Sequence, residues 1–356
     1  MGFKLVERIF ASLVKNDMRK KIKVNFYLFC LYALLAFPLF YFVYKYGSPY
    51  LGMIDFFDYY KLYETMDYRT ADSPLNMRLV SSFFVYCMSK TGLVYNTLCQ
   101  IDGAPFSKVI YFNAVFFNYI CVVVTAIFIF HLVRQQKQSL MFAFLAGLVF
   151  LLGFGTIFFD IMPLADAMSV LLFALILLFY FRKSYFILVP LALLIIQREY
   201  LLLATGLVFL LDFIKFREKY FLHVLICCFV FFVVHVVLRK LIFETARYSH
   251  HTNPEFILKS FTALNFPILP FVRQTLMTMN VFLLYVSIIA FKYLKGLNFN
   301  RFEFLKIMLL LLQLVILTFL LALGNNAGRY FYMLIPLVIV QMINEIKVFE
   351  LEKNDA

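Results

Sequence analysis

The chain of 356 residues contains no tryptophan, and only 15% of its residues are charged. Soluble domains carry about 25% charged and about 45–50% apolar residues. Here 64% of the residues are apolar and the mean hydropathy is +0.88. This composition excludes an ordinary soluble enzyme, and it excludes a disordered chain because there is ample apolar surface to bury. The sequence therefore predicts an all-α polytopic membrane protein.

Metal-binding patterns are also scarce. The six cysteines are scattered and form no CxxC pair. The adjacent His250 and His251 point to opposite faces of either a helix or a strand, so they form a poor ligand pair. We therefore predict no cofactor, while a divalent metal remains open. The net charge of +13 is interpreted as a signal of membrane orientation, and no nucleic-acid partner is predicted.

Long apolar runs predict about ten transmembrane helices, since a span needs about 20 apolar residues. The first run, Val24–Tyr44, is too long for a cleaved signal peptide and is interpreted as a signal anchor. The other nine are predicted at Val109–Val133, Leu140–Phe158, Ala167–Phe181, Tyr185–Ile196, Tyr200–Ile214, Phe221–Leu238, Gln274–Phe291, Leu305–Leu323 and Tyr330–Ile346.

The basic residues predict how these spans are oriented. Residues 1–23 form a basic amphipathic segment, 24–346 the transmembrane domain, and 347–356 a short tail. With both termini cytoplasmic, 20 of the 33 lysines and arginines lie in inner segments, Lys292 and Lys306 among them, as the positive-inside rule expects. The two long loops, 45–108 and 239–273, are then outer loops, and seven of the ten prolines lie on that side. Because loops on a rigid scaffold carry function, the outer face is predicted to be the working face.

An acidic segment opens the first outer loop. Asp55 and Asp58 are three residues apart, so on a helix they share a face. A carboxylate held just above the bilayer can act as a general base. The alternative is a solvated acidic turn on a helix at the membrane surface. Asp58, or failing that Asp55, is the candidate catalytic residue.

Several charged residues of the predicted outer face are candidates for binding a substrate. Ionisable groups at membrane depth cost free energy to bury, so those that are present often have a functional role. The guanidinium of arginine can donate two parallel hydrogen bonds to a phosphate. One alternative is that Arg198 and Glu199 form a local ion pair or extend their charged ends to the membrane–water interface. Another is that Arg329 and the aromatic Tyr330 only anchor the last helix at that interface. The candidate set is Arg78, Asp166, Arg198, Glu199, Arg247, Arg329 and Tyr330.

These features together resemble the GT-C-type glycosyltransferases that use polyprenyl-phosphate-linked sugars. The layout is similar across most of the chain, and the segment Asp58-Tyr59-Tyr60 followed by Ser73-Pro74-Leu75-Asn76-Met77-Arg78-Leu79 is similar to the first-loop pattern of bacterial members. The resemblance implies that an early outer carboxylate acts as base and that outer basic residues hold the lipid phosphate. Two features depart from the family: Asp55 and Asp58 are not contiguous, and there is no large C-terminal soluble domain.

The resemblance implies an inverting glycosyltransferase of a bacterial inner membrane, with a lipid-linked sugar donor and membrane lipids as partners. Its lipid phosphate would lie near Arg198, Arg247 or Arg329. Two other classes remain open. One is a non-catalytic membrane subunit of a secretion or biogenesis complex, with protein partners. The other is a lipid-linked glycan transporter or polymerase.

Overall fold

The structure, a computed structural model, describes residues 18–46, 54–71, 75–91, 108–243, 279–320 and 327–354. All regular secondary structure within these ranges is helical. The α-helices are α1 Met18–Tyr46, α2 Ile54–Thr65, α3 Leu79–Thr91, α4 Lys108–Gln135, α5 Leu140–Leu151, α6 Asp166–Phe181, α7 Leu188–Leu194, α8 Glu199–Phe216, α9 Lys219–Leu238, α10 Asn280–Leu294, α11 Arg301–Leu320, α12 Ala327–Tyr332 and α13 Ile335–Asn354.

Three helices in the described ranges are long and apolar enough to cross a membrane, namely Ile22–Tyr46, Val109–Gln135 and Lys219–Ile242. The all-helical part of the prediction is therefore confirmed, with three candidate membrane spans. Five further apolar helices have 10–17 residues, which is short for a hydrocarbon layer about 30 Å thick. The structure therefore supports three of the ten predicted spans as membrane-crossing helices by length and composition, and the number ten remains a prediction.

The helix α1 packs on α4 in an antiparallel arrangement. Three hydrogen bonds join the pair: Tyr111 Oη to the Val43 carbonyl at 3.0 Å, Tyr119 Oη to the Ala33 carbonyl at 2.6 Å, and His131 Nε2 with Asn25 Oδ1 at 2.8 Å. As the residue number rises on α4 it falls on α1. The buried stripe of α1 recurs every three or four residues, as one face of a helix requires, at Val24, Leu28, Tyr32, Ala36, Phe40 and Val43.

The helix α4 lies at the centre of the bundle. Its most apolar window is 72% buried, against 28% for α1 and 22% for the segment that contains α9. It contacts α1, α3, α5, α6 and α13. All three helices are strongly apolar, so the bare faces of α1 and α9 are the surfaces that a lipid layer would cover.

Two of the predicted spans are interrupted. The helix α5 ends at Leu151 and is followed by a π-helical turn, Thr156–Asp160. The last span is divided into α12 and α13, and Tyr332 at the division packs against the backbone of Gly155. A Cβ atom at Gly155 would lie 2.0 Å from the Tyr332 ring, so this contact requires glycine.

Two buried polar clusters lie at opposite ends of α6 and α8. Asp166 and Glu199 begin these helices, whereas Tyr180 and Asp212 lie 14 and 13 residues further along. At 1.5 Å per residue the clusters are roughly 20 Å apart. We name them the Arg78 cluster (Arg78, Asp166, Gln197, Arg198 and Glu199) and the Lys306 cluster (Tyr180, Asp212, Glu303, Lys306 and Gln341).

Candidate functional site

The turn between α7 and α8 positions the Arg78 cluster. This turn provides hydrogen-bond acceptors for the N-terminus of α3, a position where backbone N–H groups have no partner inside their own helix. The Leu79 amide donates to the Ile196 carbonyl at 3.0 Å, and the Ser81 amide donates to Gln197 Oε1 at 3.2 Å. Two segments more than 110 residues apart in sequence are thereby joined at one end of the bundle.

Arg78 forms a buried ion pair with Glu199. Its Nη1 donates to Glu199 Oε2 at 2.7 Å and to the Gln197 carbonyl at 2.6 Å. The Arg78 side chain is 3% exposed and that of Glu199 is 19% exposed. Glu199 also occupies the first turn of α8, where the helix dipole favours a negative charge.

Arg198 pairs with a different carboxylate, Asp166 at the start of α6. Both side chains are buried. Between the two ion pairs lies Gln197, whose Nε2 donates to the Ala165 carbonyl at 2.8 Å. The expected alternative of a local Arg198–Glu199 pair is therefore not what the structure shows, because each residue pairs with a partner distant in sequence.

The charge of Glu199 is held by its surroundings. Burial alone would raise the pKa of this carboxyl, but the charge of Arg78 and its hydrogen bond outweigh that effect. The pKa of Glu199 therefore lies well below its usual range, and the ion pair persists at neutral pH.

Some buried donor groups of this region have no hydrogen-bond partner among the described residues. The Nε–H of Arg78 and the hydroxyl of Tyr200 are examples. The Tyr200 ring packs edge-to-face on Tyr330, with ring centroids 4.9 Å apart, and the Arg198 guanidinium lies 5.9 Å from the same ring. Unpaired buried donors are costly, and a ligand that only accepts hydrogen bonds, such as a phosphate, is the type of partner that such donors suit.

The segment that carries Asp55 and Asp58 is helical, as predicted, and forms the start of α2. This helix packs on α3 and on the short turn Leu75–Met77, immediately before Arg78. The two candidate bases thus belong to a helix adjacent to the Arg78 cluster. Their side chains lie outside the described part of the structure.

Five of the seven predicted binding residues come together in this region: Arg78, Asp166, Arg198, Glu199 and Tyr330. Arg247 lies outside the described residues. Arg329 belongs to α12 and directly precedes Tyr330, but its side chain is not described. The roles assigned to Arg247 and Arg329 remain predictions.

Sequence reasoning missed three polar residues of this region. Gln197, Ser81 and Tyr200 are buried beside the arginines. His235 was also missed; its Nδ1 lies 2.7 Å from the Ile195 carbonyl and ties α9 to the same turn. The signal for Gln197 was present, because a polar residue between two apolar segments is costly in a membrane protein unless it has partners.

The Lys306 cluster is a fully hydrogen-bonded network. Lys306 Nζ donates to Asp212 Oδ1 at 3.1 Å and to Glu303 Oε1 at 3.0 Å, and Tyr180 Oη donates to Asp212 Oδ2 at 2.6 Å. Lys306 is 1% exposed, although the charge count treated it as an inner-loop cation. With its donors used inside the protein, this cluster anchors α11 to α6 and α8.

Within the described residues, no group of three or more histidine, cysteine, aspartate or glutamate side chains is arranged to hold a metal ion. His250 and His251 lie outside those residues, so the structure does not test a metal site there.

Comparisons with known proteins gave no match, whether by protein-family models, by the sequences of curated proteins or by solved structures.

Proposed function

We propose that this chain is a membrane glycosyltransferase that transfers a sugar from a polyprenyl-phosphate donor to an acceptor on the outer side of a bacterial inner membrane. The proposal includes the GT-C-like arrangement of about ten spans with both termini cytoplasmic. The observation that carries it is that α2, with Asp55 and Asp58, and two buried arginines lie at one end of the bundle. Donors there that lack a described partner, such as the Nε–H of Arg78 and the hydroxyl of Tyr200, support an anionic ligand.

The proposed reaction needs a base and a site for the leaving group. Asp58, or Asp55, would take the proton of the acceptor hydroxyl while its oxygen attacks the anomeric carbon. The bond from that carbon to the lipid phosphate would break, and the phosphate would leave with the electron pair, inverting the configuration. Because a phosphate is a good leaving group, positive charge that stabilises it matters more than a strong acid.

A transfer assay with carboxylate variants tests this proposal. The purified full chain in lipid nanodiscs would be given a radiolabelled polyprenyl-phosphate sugar with a mixture of acceptors. We expect the double variant D55N/D58N to lose transfer by at least about 100-fold, the usual contribution of a general base. Glu64→Gln is the matched control, because Glu64 is an exposed carboxylate on the same helix. Equal transfer by the double variant and the wild type would refute the proposal.

One observation favours the alternative of a non-catalytic membrane subunit. Arg78 and Arg198 are buried and already paired with carboxylates, which suits a purely structural role. Replacing a buried ion pair by apolar residues of similar volume is often neutral for stability. The double variant R78M/E199L separates the two functions: a subunit would keep its stability and its partners, whereas the glycosyltransferase would remain folded and lose transfer.

A further inference from the structure

A groove of about 270 Å³ lies between α10 and α13, at the end of the bundle that holds the Lys306 cluster. Its lining is Ser287, Ile288, Phe291, Lys292 and Ile346. Almost all of the exposed lining is apolar, and Phe291 is 48% exposed. An apolar groove on the outside of a membrane bundle is suited to a hydrocarbon chain, because neither surface then needs a hydrogen-bond partner.

The lysine at the floor of this groove does not provide a free charge. Lys292 Nζ donates to Glu345 Oε2 at 2.7 Å and to the Glu345 carbonyl at 3.2 Å, and it is 1% exposed. The other oxygen of this carboxylate, Glu345 Oε1, accepts from the Asn300 amide at 3.0 Å. The carboxylate of Glu345 is therefore already neutralised, and the loop before α11 is held close to the groove.

Two exposed basic residues lie at the mouth of the groove. Lys295 directly follows α10, and its amide donates to the Phe291 carbonyl at 3.1 Å, so it lies one turn beyond a residue that lines the groove. Arg301 begins α11, next to the loop that Glu345 holds. Neither forms an ion pair with another described residue. Glu303, another described carboxylate at this end of the bundle, pairs with Lys306. Among the described side chains, the unpaired charge at the mouth of the groove is therefore positive.

We infer that this groove binds an anionic phospholipid, with an acyl chain against Phe291 and Ile346 and the headgroup phosphate between Lys295 and Arg301. The inference is independent of the proposed glycosyltransferase activity. Basic residues beside an apolar surface between helices are suited to anionic headgroups, and the charge asymmetry of the sequence assigns this end to the cytoplasmic leaflet, where such lipids are abundant.

The absence of tryptophan from the sequence makes a direct test possible. The variant Leu284→Trp places one fluorophore at an exposed position, one turn before Ile288 on α10. The purified full chain would be reconstituted in vesicles of phosphatidylcholine, with brominated phosphatidylglycerol or brominated phosphatidylcholine as quencher. The matched reporter is Val233→Trp, on the exposed face of α9 away from the groove.

We expect the Leu284→Trp reporter to show a preference of about fivefold or more for the anionic quencher, since each basic group near the surface contributes about that factor. The Val233→Trp reporter should show little preference. Adding Lys295→Ala or Arg301→Ala should lower the preference about fivefold, whereas Lys295→Arg should retain it. Lys219→Ala, an exposed lysine at the same end on α9, is the matched charge control and should leave it unchanged.

Three results would overturn the inference. Equal quenching by the two lipids at Leu284→Trp would mean that only unselective lipids surround α10. A preference that survives in the K295A/R301A double variant would place the anionic lipid elsewhere. If a soluble phosphate removes the preference at constant ionic strength, the site binds a free phosphate and not a lipid.

Discussion

At the scale of single residues, the Arg78 cluster combines two buried ion pairs with a glutamine between them. Sequence inspection identified four of its five members, because charged residues are rare in this chain and each one attracts notice. It did not identify which charges pair. Arg198 and Glu199 are adjacent in sequence, yet they pair with Asp166 and Arg78 respectively. Arg198 is the extended residue before α8 and Glu199 is the first residue of that helix, so their side chains leave the backbone in different directions and meet different neighbouring elements.

The Arg78–Glu199 pair leads to a stability prediction. Arg78→Ala or Glu199→Ala alone should destabilise the protein by about 3–5 kcal/mol, because each leaves an uncompensated buried charge. The double variant R78M/E199L should recover most of that loss. Melting temperatures in detergent measure all three. Additive losses in the double variant would mean that the two residues act independently.

Tyr200 offers a contrast with Tyr111. The hydroxyl of Tyr200 has no partner among the described residues, so Tyr200→Phe should leave the stability unchanged or raise it. The Tyr111 hydroxyl donates to the Val43 carbonyl, so Tyr111→Phe should cost about 1 kcal/mol. If the proposed phosphate accepts from Tyr200, donor binding should fall about tenfold in Tyr200→Phe only. The opposite ranking in the two assays would contradict this assignment.

At the scale of elements, interruptions in the helices set the shape of the site. The sequence predicts one span over Leu140–Phe158, whereas α5 ends at Leu151 and a π-helical turn follows. The glycines at 153 and 155 were a visible signal of this break, since glycine permits the close approach that Tyr332 makes. Tyr332 reaches Gly155 because the last span is divided between α12 and α13, and the local sequence does not reveal this division.

Two glycines should therefore respond to alanine in opposite ways. A Cβ at Gly155 would overlap the buried Tyr332 ring, so Gly155→Ala should destabilise the protein by about 1–3 kcal/mol. A Cβ at Gly206, inside α8, would lie 3.6 Å from the Cys228 side chain, an ordinary contact. Gly206→Ala should be neutral or stabilise by about 0.5–1 kcal/mol, the usual gain inside a helix. Thermal unfolding of both variants measures the difference; a stable Gly155→Ala protein would contradict the packing.

At the scale of the whole molecule, the predicted topology is open to a test that does not depend on any activity. In a cysteine-free background, single cysteines at Lys61 and Thr252 should react with an impermeant thiol reagent added to intact cells. A cysteine at Asn300 should react only after the membrane is permeabilised. Lys61 and Asn300 are both exposed, so accessibility within the protein does not limit either reaction. Labelling at Asn300 in intact cells would overturn the orientation and the assignment of the working face.

The sequence by itself determined the class of protein. An apolar fraction of 64% and long uncharged runs predict helices in a membrane, because a helix satisfies its own backbone hydrogen-bonding groups there. The regular secondary structure of the described residues is helical, as predicted. The same patterns predicted the helix α2 and identified Arg78, Arg198 and Glu199 as candidate residues, which lie together in the structure. These conclusions rest on composition and on local spacing, which a sequence states directly.

Only the tertiary structure decided which residues meet. Lys292 and Lys306 were counted as inner-loop charges, but each is buried against a carboxylate on another helix. Hydrophobicity cannot distinguish a lysine in water from a lysine paired inside the protein, because that difference is a desolvation cost repaid by a distant partner. For the same reason the contact between Arg78 and Glu199, across 121 residues of sequence, follows from how α3 and α8 pack and from nothing local.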